Sequence, residues 1–274
     1  MRWIQNLAKA VGNILFWSNS SMRKVTEKNL TIAYPQMSED ERTRVAQKSV
    51  QSQCMTYAES VKVWGSQPEF AIEQIQDVHR LEILLEALKN PNGCLAVVPH
   101  FGTWEMLNAW INQYTNPVIM YKPNKNADID RFVLEARQSL NSVLVPTDET
   151  GVRAIFKHLK QGGFSAILPD HVPNESGGIY SPFYGQKTLS STLLSKLAAK
   201  TQCSVVGLHC LRRDDLSGFD VYVTELSKDI LSKDLQHSVD TLNQEIERII
   251  DAAPAQYLWG YKRFRRLENK KYVY

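Results

Sequence analysis

A histidine and a carboxylate separated by four residues, His100 and Glu105, are the side chains in this sequence best suited to acid–base chemistry. A neutral imidazole can take a proton from an alcohol, and a nearby carboxylate can fix its tautomer and stabilise the imidazolium that forms. The activated hydroxyl would then attack a thioester directly, without a covalent enzyme intermediate. Backbone N–H groups at a helix start near Thr103 would stabilise the oxyanion. The pair therefore predicts a general-base centre.

Other interpretations of the same residues are a strand-capping histidine and a helix-capping glutamate, without catalysis. A metal site would need a third ligand or an HExxH spacing, and neither is present. A serine hydrolase would need a GxSxG elbow, which is also missing. The cysteines show no CxxC spacing, which argues against a disulfide scaffold or a zinc module and predicts a reducing, cytoplasmic environment. They are Cys54, Cys94, Cys203 and Cys210.

The elements around His100 are typical of a strand followed by a helix. An apolar strand ends at Pro99, Gly102 allows a tight turn, and Thr103 can cap the next helix. Catalytic groups in open α/β sheets gather at the carboxyl ends of the strands. We therefore expect His100 at such an end, with Glu105 in the first turn of the helix and able to reach the imidazole.

The remaining pattern alternates short β-branched runs with helical stretches, which predicts one α/β domain over residues 1–274. We expect a mixed, largely parallel central sheet flanked by helices, because a hairpin-type turn at Asp214–Gly218 precedes the last strand. The predicted strands are Gly93–Pro99, Pro117–Tyr121, Ser142–Val145, Phe164–Leu168, Ser204–Cys210 and Phe219–Glu225. The predicted helices follow Ser38 to about Trp64, then cover His79–Lys89, Thr103–Gln113, Asp128–Leu140, Gly151–Lys160, Ser190–Thr201 and Ser238–Ala252.

The first residues predict an amphipathic helix. At about 100° per residue, residues 2–15 separate into a polar arc and an apolar arc. The apolar arc holds Trp3, Ile4, Leu7, Ala8, Ala10, Val11, Ile14 and Leu15. The uncharged stretch from Ala10 to Met22 has 13 residues, whereas a spanning helix needs about 20. The helix either packs on its own domain or lies in the membrane interface. We favour the interface, with residues 1–36 as a membrane-associating helical extension.

Charge is concentrated near the C-terminus. The chain carries 32 basic and 29 acidic residues, a net charge of +3. Residues 260–274 form a basic tail with six basic residues against one acid. The tail is either a solvated end or a patch for anionic headgroups or phosphorylated sugars. Without interleaved recognition motifs we expect no nucleic-acid partner.

The stretch Pro99-His-Phe-Gly-Thr-Trp-Glu105 resembles the His-x4-Asp/Glu motif of the lysophospholipid acyltransferase superfamily, in its branch of late lipid A lauroyl and myristoyl transferases. The resemblance covers nearly the whole chain, because further blocks follow in the family's order. They are Tyr121–Asn126, Arg137, Leu168–Asp170, Ser181–Gly185 and Gln256–Phe264.

This resemblance implies transfer of a fatty acyl group from acyl carrier protein or acyl-CoA to a hydroxyl of a lipid A precursor or related glycolipid. The implied location is the cytoplasmic face of the bacterial inner membrane, with peripheral or monotopic attachment. His100 would be the base and Glu105 would orient it, with no metal or other cofactor. The residues implied to bind substrate or shape the site are Gly102, Thr103, Trp104, Lys122, Arg137 and Asp170.

The sequence departs from the family pattern in four respects, one of which is an amino-terminal region that is short for the lipid A branch. Lys122 stands where the family usually has arginine, His171 follows Asp170 where the family has glutamine, and a glycine expected after Arg137 is missing. Arginine and lysine hold phosphate differently, so these changes bear on the acceptor. Alternatives are therefore another lysolipid or an aminolipid as acceptor, or a lipid-binding protein of the same fold that has lost turnover.

Overall fold

Nine strands supply the framework of the computed structural model, which describes residues 1–274. Five of them form a central sheet in the order β1-β9-β8-β2-β5. Within it β2 runs parallel to β5 and β8, β1 runs parallel to β9, and only β8 and β9 are antiparallel. The strands are β1 (Ile75–His79), β2 (Cys94–Val97), β3 (Val118–Tyr121), β4 (Val143–Pro146), β5 (Phe164–Ile167), β6 (Gly178–Phe183), β7 (Gln186–Ser191), β8 (Ser204–Arg212) and β9 (Phe219–Glu225). The predicted α/β class with a mixed, largely parallel sheet is confirmed.

The other four strands form two small sheets. Strands β3 and β4 are a parallel pair next to β5, joined to it by a bridge between Pro117 and Phe164 and by a hydrogen bond from Ser165 Oγ to the Val118 carbonyl (2.7 Å). Strands β6 and β7 form an antiparallel hairpin. Its two-residue turn, Tyr184-Gly185, has positive φ at both positions, which suits the twist of a hairpin.

Ten helices surround the sheets: α1 (Arg2–Trp17), α2 (Ser21–Ala33), α3 (Glu39–Trp64), α4 (Pro68–Glu73), α5 (Leu81–Ala87), α6 (Met106–Ile111), α7 (Ala127–Gln138), α8 (Glu149–Leu159), α9 (Leu193–Thr201) and α10 (Leu235–Asp251). The start of α3 was predicted from its capping sequence. Ser38 Oγ accepts from the Glu41 N–H, and the Glu41 carboxylate accepts from the Ser38 N–H. This reciprocal capping box fixes the start of the helix.

Three predicted helices begin later in the structure, and the one predicted from Thr103 starts only at Met106, after Glu105. Residues 75–79 form β1, paired with β9, and Arg80 with φ +60° separates it from α5, so a helix from His79 was wrong. Ser190 and Ser191 belong to β7, and α9 begins only at Leu193. The first residues of the other two helices form strands instead. Pairing of β1 with β9 and of β7 with β6 overrides the local helical pattern there.

The central sheet is covered on both faces. Along β2, Leu95 and Val97 belong to one buried apolar cluster, whereas Cys94 and Ala96 belong to another. Successive side chains of a strand point to opposite faces, so these two clusters are the two cores on either side of the sheet. A strand buried on both faces explains the continuous apolar run that precedes His100.

Helix α1 packs on the domain through polar and small side chains and, near its C-terminus, through one aromatic ring. Gln5, Ala8, Gly12 and Phe16 are buried, and a Cβ on Gly12 would lie 2.6 Å from the Gln51 Cα. Most of the apolar arc faces outward, with exposed side chains at Trp3, Leu7, Val11, Ile14 and Trp17, whereas its edge at Ala8 is buried. Packing on the domain and contact with a membrane, the two alternatives from the sequence, therefore do not exclude each other. No helix of the protein is both long enough and apolar enough to cross a bilayer.

The basic C-terminal segment is largely folded onto the domain. Arg263 is fully buried and donates to the Leu189 carbonyl (3.0 Å) and Ser190 Oγ (2.8 Å). Phe264 and Leu267 are also buried, and the Phe264 N–H donates to Tyr274 Oη (3.0 Å). The description as a solvated tail was therefore wrong for its centre, because a buried guanidinium and two apolar side chains anchor it. The basic side chains that stay exposed are Lys262, Arg265, Arg266, Lys270 and Lys271.

Replacing Gly12 by leucine should displace α1 and lower the free energy of unfolding by about 1–3 kcal/mol, the usual range for overpacking. Leucine stabilises a helix by roughly 0.8 kcal/mol relative to glycine. Any loss of stability in this variant must therefore come from the contact with α3. Ala10→Leu places the same side chain on the exposed arc and should change stability by less than about 0.5 kcal/mol. Urea unfolding measures both, and equal midpoints for the two variants would contradict this packing.

Candidate functional site

The His100 loop is held between β8 and the segment around Gln256. The Gly102 N–H donates to the Gln256 carbonyl (2.9 Å), the Thr103 N–H donates to the Cys210 carbonyl (2.8 Å), and the Leu258 N–H donates to the His100 carbonyl (3.1 Å). Gly102 has φ +63°, and a Cβ there would lie 2.0 Å from the Cys210 carbonyl oxygen. Only glycine fits this approach, so Gly102 shapes the loop through its backbone.

The imidazole of His100 pairs with Asp170. Its Nδ1 lies 2.9 Å from Asp170 Oδ1, and its backbone N–H donates to Oδ2 (3.0 Å). The register of the parallel strands explains the meeting, because Val97 pairs with Ile167 and each side chain follows three residues later. The Asp170 side chain is fully buried, while that of His100 is 15% exposed. Burial alone would raise the pKa of Asp170, but the His100 charge and hydrogen bonds hold it well below its usual range.

The contact expected between His100 and Glu105 is not formed. Glu105 Oε1 accepts from Arg137 Nη2 (2.7 Å), and Oε2 accepts from Trp64 Nε1 (2.9 Å) and Asn108 Nδ2 (3.0 Å). Thus Asp170, not Glu105, is the carboxylate that fixes the imidazole. Glu105 lies just before α6, and three donors from three helices satisfy it there.

Arg137 extends the Glu105 cluster towards β3. Its guanidinium lies 5.5 Å from the ring centroid of Tyr121, and Nε has no hydrogen-bond partner. Lys122 follows in the next loop, is exposed, and forms no ion pair. The structure therefore brings Glu105 and Arg137 together, while Lys122 stays separate from both.

His171 packs flat against His100. The ring centroids are 3.6 Å apart with an interplanar angle of 1°, and Tyr261 stacks on the other side of His171 at 3.8 Å. Tyr261 is itself held, because its hydroxyl accepts from the Val172 N–H (2.9 Å). Burial, together with the charge of His100, lowers the pKa of His171 to about 4, from 6.5. His171 is therefore a neutral wall behind the His100 ring at neutral pH.

Not all backbone N–H groups near His100 are free, although the sequence predicted free donors around Thr103. The Thr103 N–H is used by the Cys210 carbonyl, whereas the Trp104 and Glu105 N–H groups donate no hydrogen bond within the protein. Trp104 also borders His100, with ring centroids 5.0 Å apart in an edge-on arrangement. The amides of Trp104 and Glu105 are the groups free to stabilise a developing oxyanion.

An apolar cavity of about 90 Å³ lies beside Trp104, with Glu105 and Arg137 among its lining residues. Its other walls include Val98, Leu107, Ile111, Ile119, Met120 and Leu208. A larger groove of about 780 Å³ lies next to the amino-terminal ends of β2 and β8, at the opposite edge of the sheet. The smaller cavity is the better candidate site, because Trp104, whose ring borders that of His100, and Glu105 are among its lining residues.

No group of three or more His, Cys, Asp and Glu side chains is arranged to hold a metal ion. All four cysteines are free thiols, and Cys94, Cys203 and Cys210 are buried. Burial raises the pKa of the Cys94 thiol, which makes it a poor nucleophile.

Sequence reasoning missed several residues of this site. Trp64 reaches Glu105 from the end of α3, 41 positions away, and Glu59 and Arg212 lie beneath the loop without any spacing signal. The partnership of Asp170 with His100 had one signal: each follows an apolar strand by three residues. That signal becomes informative only when β2 and β5 are known to be neighbours.

Similarity to known proteins covers nearly the whole chain. Residues 1–266 match the sequence profile described as bacterial lipid A biosynthesis acyltransferase. The chain is 25% identical over 245 residues to the lipid A biosynthesis palmitoleoyltransferase of Escherichia coli K12, covering 88% of this chain and 78% of that protein. It is 24% identical over 263 residues to the lauroyltransferase of the same organism, covering 96% and 85%. A phosphatidylinositol mannoside acyltransferase of Mycolicibacterium smegmatis is 25% identical over 150 residues, covering 53% and 49%.

Replacing His171 by phenylalanine should make stability less sensitive to acid. The pKa of His171 in the folded state lies below its unfolded value, so its contribution is complete above about pH 6.5 and is lost as pH falls through about 4. Between about pH 7 and pH 5 the wild type should lose about 2 kcal/mol more than the variant. Urea unfolding at both pH values measures this, with the exposed His79→Phe as control. Equal losses in wild type and His171→Phe would show that His171 titrates normally.

Proposed function

This chain belongs to the family of bacterial lipid A biosynthesis acyltransferases, and we propose that the His100–Asp170 pair is the general-base system with which it transfers an acyl group. It is an acyltransferase, and its reaction moves a fatty acyl group from a thioester to a hydroxyl of a lipid A precursor. The observation that carries the mechanism is the 2.9 Å contact between His100 Nδ1 and Asp170 Oδ1.

The pairing with Asp170 selects the tautomer of His100. When Nδ1–H donates to the carboxylate, Nε2 carries the lone pair and can take the proton of the acceptor hydroxyl. The hydroxyl oxygen then bonds to the thioester carbonyl carbon, and the tetrahedral intermediate collapses by breaking the C–S bond. The imidazolium returns the proton to the departing thiolate, so the enzyme ends unchanged. Asp170 stabilises the imidazolium throughout, without a proton transfer of its own.

Glu105 and Arg137 act on substrate placement in this proposal. The carboxylate of Glu105 holds the guanidinium of Arg137 at the edge of the apolar cavity. A guanidinium suits phosphate, which both the lipid acceptor and a phosphopantetheine-bearing donor carry. The free amides of Trp104 and Glu105 would stabilise the oxyanion of the intermediate, and the cavity would take apolar atoms of the acyl chain.

Lipid substrates require access to a membrane, and α1 supplies the apolar surface. Trp3, Ile14 and Trp17 are 76%, 67% and 71% exposed, and no part of the protein covers them. Tyr57 and Val61, one turn apart on the underlying α3, are exposed as well. An outward apolar arc on a packed helix is suited to lie in the headgroup region. We place this surface on the cytoplasmic face of the inner membrane, where acyl carrier protein or acyl-CoA would supply the donor.

The acceptor has a second candidate class, a phosphorylated glycolipid outside lipid A biosynthesis. The similarity to a phosphatidylinositol mannoside acyltransferase favours it, as does Lys122 in place of the usual arginine. The same base and the same donor serve either acceptor. Mass spectrometry of total lipids from cells with and without the gene separates the two classes. In cells without the gene, the lipid that this enzyme acylates should be lighter by the mass of one acyl chain.

Asp170→Asn should lower kcat by about 10²–10⁴-fold, because an amide cannot hold the productive tautomer or balance the imidazolium. His100→Ala should lower it at least as much. The measurement is acyl transfer in detergent micelles, with acyl carrier protein and coenzyme A thioesters compared as donors. Asp214→Asn, an exposed carboxylate in the β8–β9 turn, is the matched control. Full activity in His100→Ala would remove the imidazole from the mechanism.

Glu105→Gln should raise KM for the acceptor more than it lowers kcat, because it weakens the hold on Arg137 and leaves the imidazole pair intact. The same assay, with acceptor concentration varied, measures both constants. A loss of kcat equal to that of Asp170→Asn, at unchanged KM, would instead assign Glu105 to the base.

The double variant Trp3→Ser/Trp17→Ser should weaken vesicle binding by at least about 10-fold, since each large apolar side chain contributes about 1.5–3 kcal/mol when fully buried. Co-sedimentation with vesicles of phosphatidylethanolamine and phosphatidylglycerol measures the partition. Asn6→Ser, on the polar arc of the same helix, should bind like the wild type. Unchanged binding of the double variant would exclude α1 as the membrane contact.

A further inference from the structure

A second buried carboxylate, Glu59 of α3, lies beneath the His100 loop and takes no part in the proposed chemistry. Its side chain is completely buried, and Arg212 at the end of β8 forms two hydrogen bonds with it, Nε to Oε1 and Nη2 to Oε2, both 2.5 Å. Arg212 is 5% exposed and also donates to the hydroxyls of Ser52 and Thr56. Both side chains of this charge pair are therefore almost completely buried.

The remaining contacts of Glu59 join two distant parts of the chain. Gln5 Nε2 of α1 donates to Oε1 (2.8 Å), and Thr103 Oγ1 of the His100 loop donates to Oε2 (2.6 Å). Arg212 Nη2 lies 3.3 Å from the same threonine hydroxyl. One carboxylate thus connects the inward face of the membrane-facing helix to the residue three positions after the base.

Gln5 is an unfavourable residue for a helix that is only an anchor. It is completely buried, and its Oε1 has no hydrogen-bond partner. Burying an amide with an unsatisfied oxygen costs free energy that an apolar side chain would not cost. The only hydrogen bond of its side chain goes to Glu59. A functional role for the Gln5–Glu59 hydrogen bond explains why an amide side chain is buried at this position.

We propose that Glu59 is a positioning residue that couples the seating of α1 to the placement of the His100 loop. The proposal rests on the function above, because it uses α1 as the membrane contact and His100 as the base. When α1 is seated, Glu59 has all its donors and holds Thr103 against Arg212. When α1 moves away, Glu59 Oε1 loses the Gln5 donor and water reaches the Glu59–Arg212 ion pair. The hydrogen bond from the Thr103 hydroxyl to Glu59 then weakens. Docking at a lipid surface therefore favours the loop geometry that catalysis needs.

Single replacements at the two ends of the connection test it without leaving Arg212 unpaired, as Glu59→Gln would. Gln5→Ala should lower kcat by about 5-fold, the effect of one net hydrogen bond, with KM little changed. Asn6→Ala on the same helix should leave kcat as in the wild type. Thr103→Val should lower kcat, and Thr103→Ser should restore it, because serine keeps the hydroxyl.

The decisive measurement is a double-mutant cycle. If Glu59 carries the coupling, adding Gln5→Ala to Thr103→Val should cause little further loss of kcat. Fully additive losses, or a Gln5→Ala defect confined to vesicle binding, would overturn the proposal.

Amide hydrogen exchange supplies a readout that does not depend on activity. In Gln5→Ala the Gly102 and Thr103 amides should exchange about 10-fold faster than in Asn6→Ala, and equal exchange would overturn the coupling. If the wild type transfers no acyl group, or His100→Ala stays active, the proposed function fails. The exchange result then still decides whether α1 and the loop are connected.

Discussion

The parallel pairing of β2 with β5 is the constraint on which the site depends. It aligns Val97 with Ile167, and the equal number of residues that follows each strand brings His100 and Asp170 together. Neither side chain has a local reason to meet the other, since 70 positions separate them. The covered sheet fixes the register, because a slip of one residue would exchange the larger Leu95 and Val97 with the smaller Cys94 and Ala96 between the two cores. The placement of the His100–Asp170 pair and the packing of the two cores thus depend on the same strand register.

Three buried carboxylates around the loop have separate tasks because they have separate donors. Asp170 is bound by His100, Glu105 by Arg137, and Glu59 by Arg212. Each is satisfied within its own cluster, so the charges do not compete for one partner. This separation explains how three carboxylates can be buried around one loop.

Much of the architecture could be predicted from the sequence. Apolar runs and capping signals located most strands and helices, and the order of short motifs indicated the family. The partner of His100 was mistaken, because a five-residue spacing suggests proximity but says nothing of the direction in which the Glu105 side chain points. Strand β1 and the hairpin arm ending at Ser191 were missed for a related reason. Their stability comes from pairing, which local sequence does not encode.

The N-terminal helix shows the limits of amphipathicity as a guide. Periodicity correctly separated its two arcs, but most of the apolar arc faces outward here and only its edge, including Ala8, faces the domain. The core contact uses Gly12 for close approach, and Asn13 Oδ1 accepts from Gln47 (3.0 Å) and Gln51 (2.6 Å). Packing through small and polar groups leaves the apolar arc available.

The inward contacts of this helix have a consequence for engineering the protein. A generic apolar leader or a transmembrane segment grafted in place of α1 would supply membrane affinity but would present leucine-sized side chains to α3. The graft would lack the close approach at Gly12 and the amide of Gln5. A working replacement must therefore preserve the inward pattern of glutamine, alanine, glycine and phenylalanine at positions 5, 8, 12 and 16, whereas its exposed apolar positions are free to vary among apolar residues.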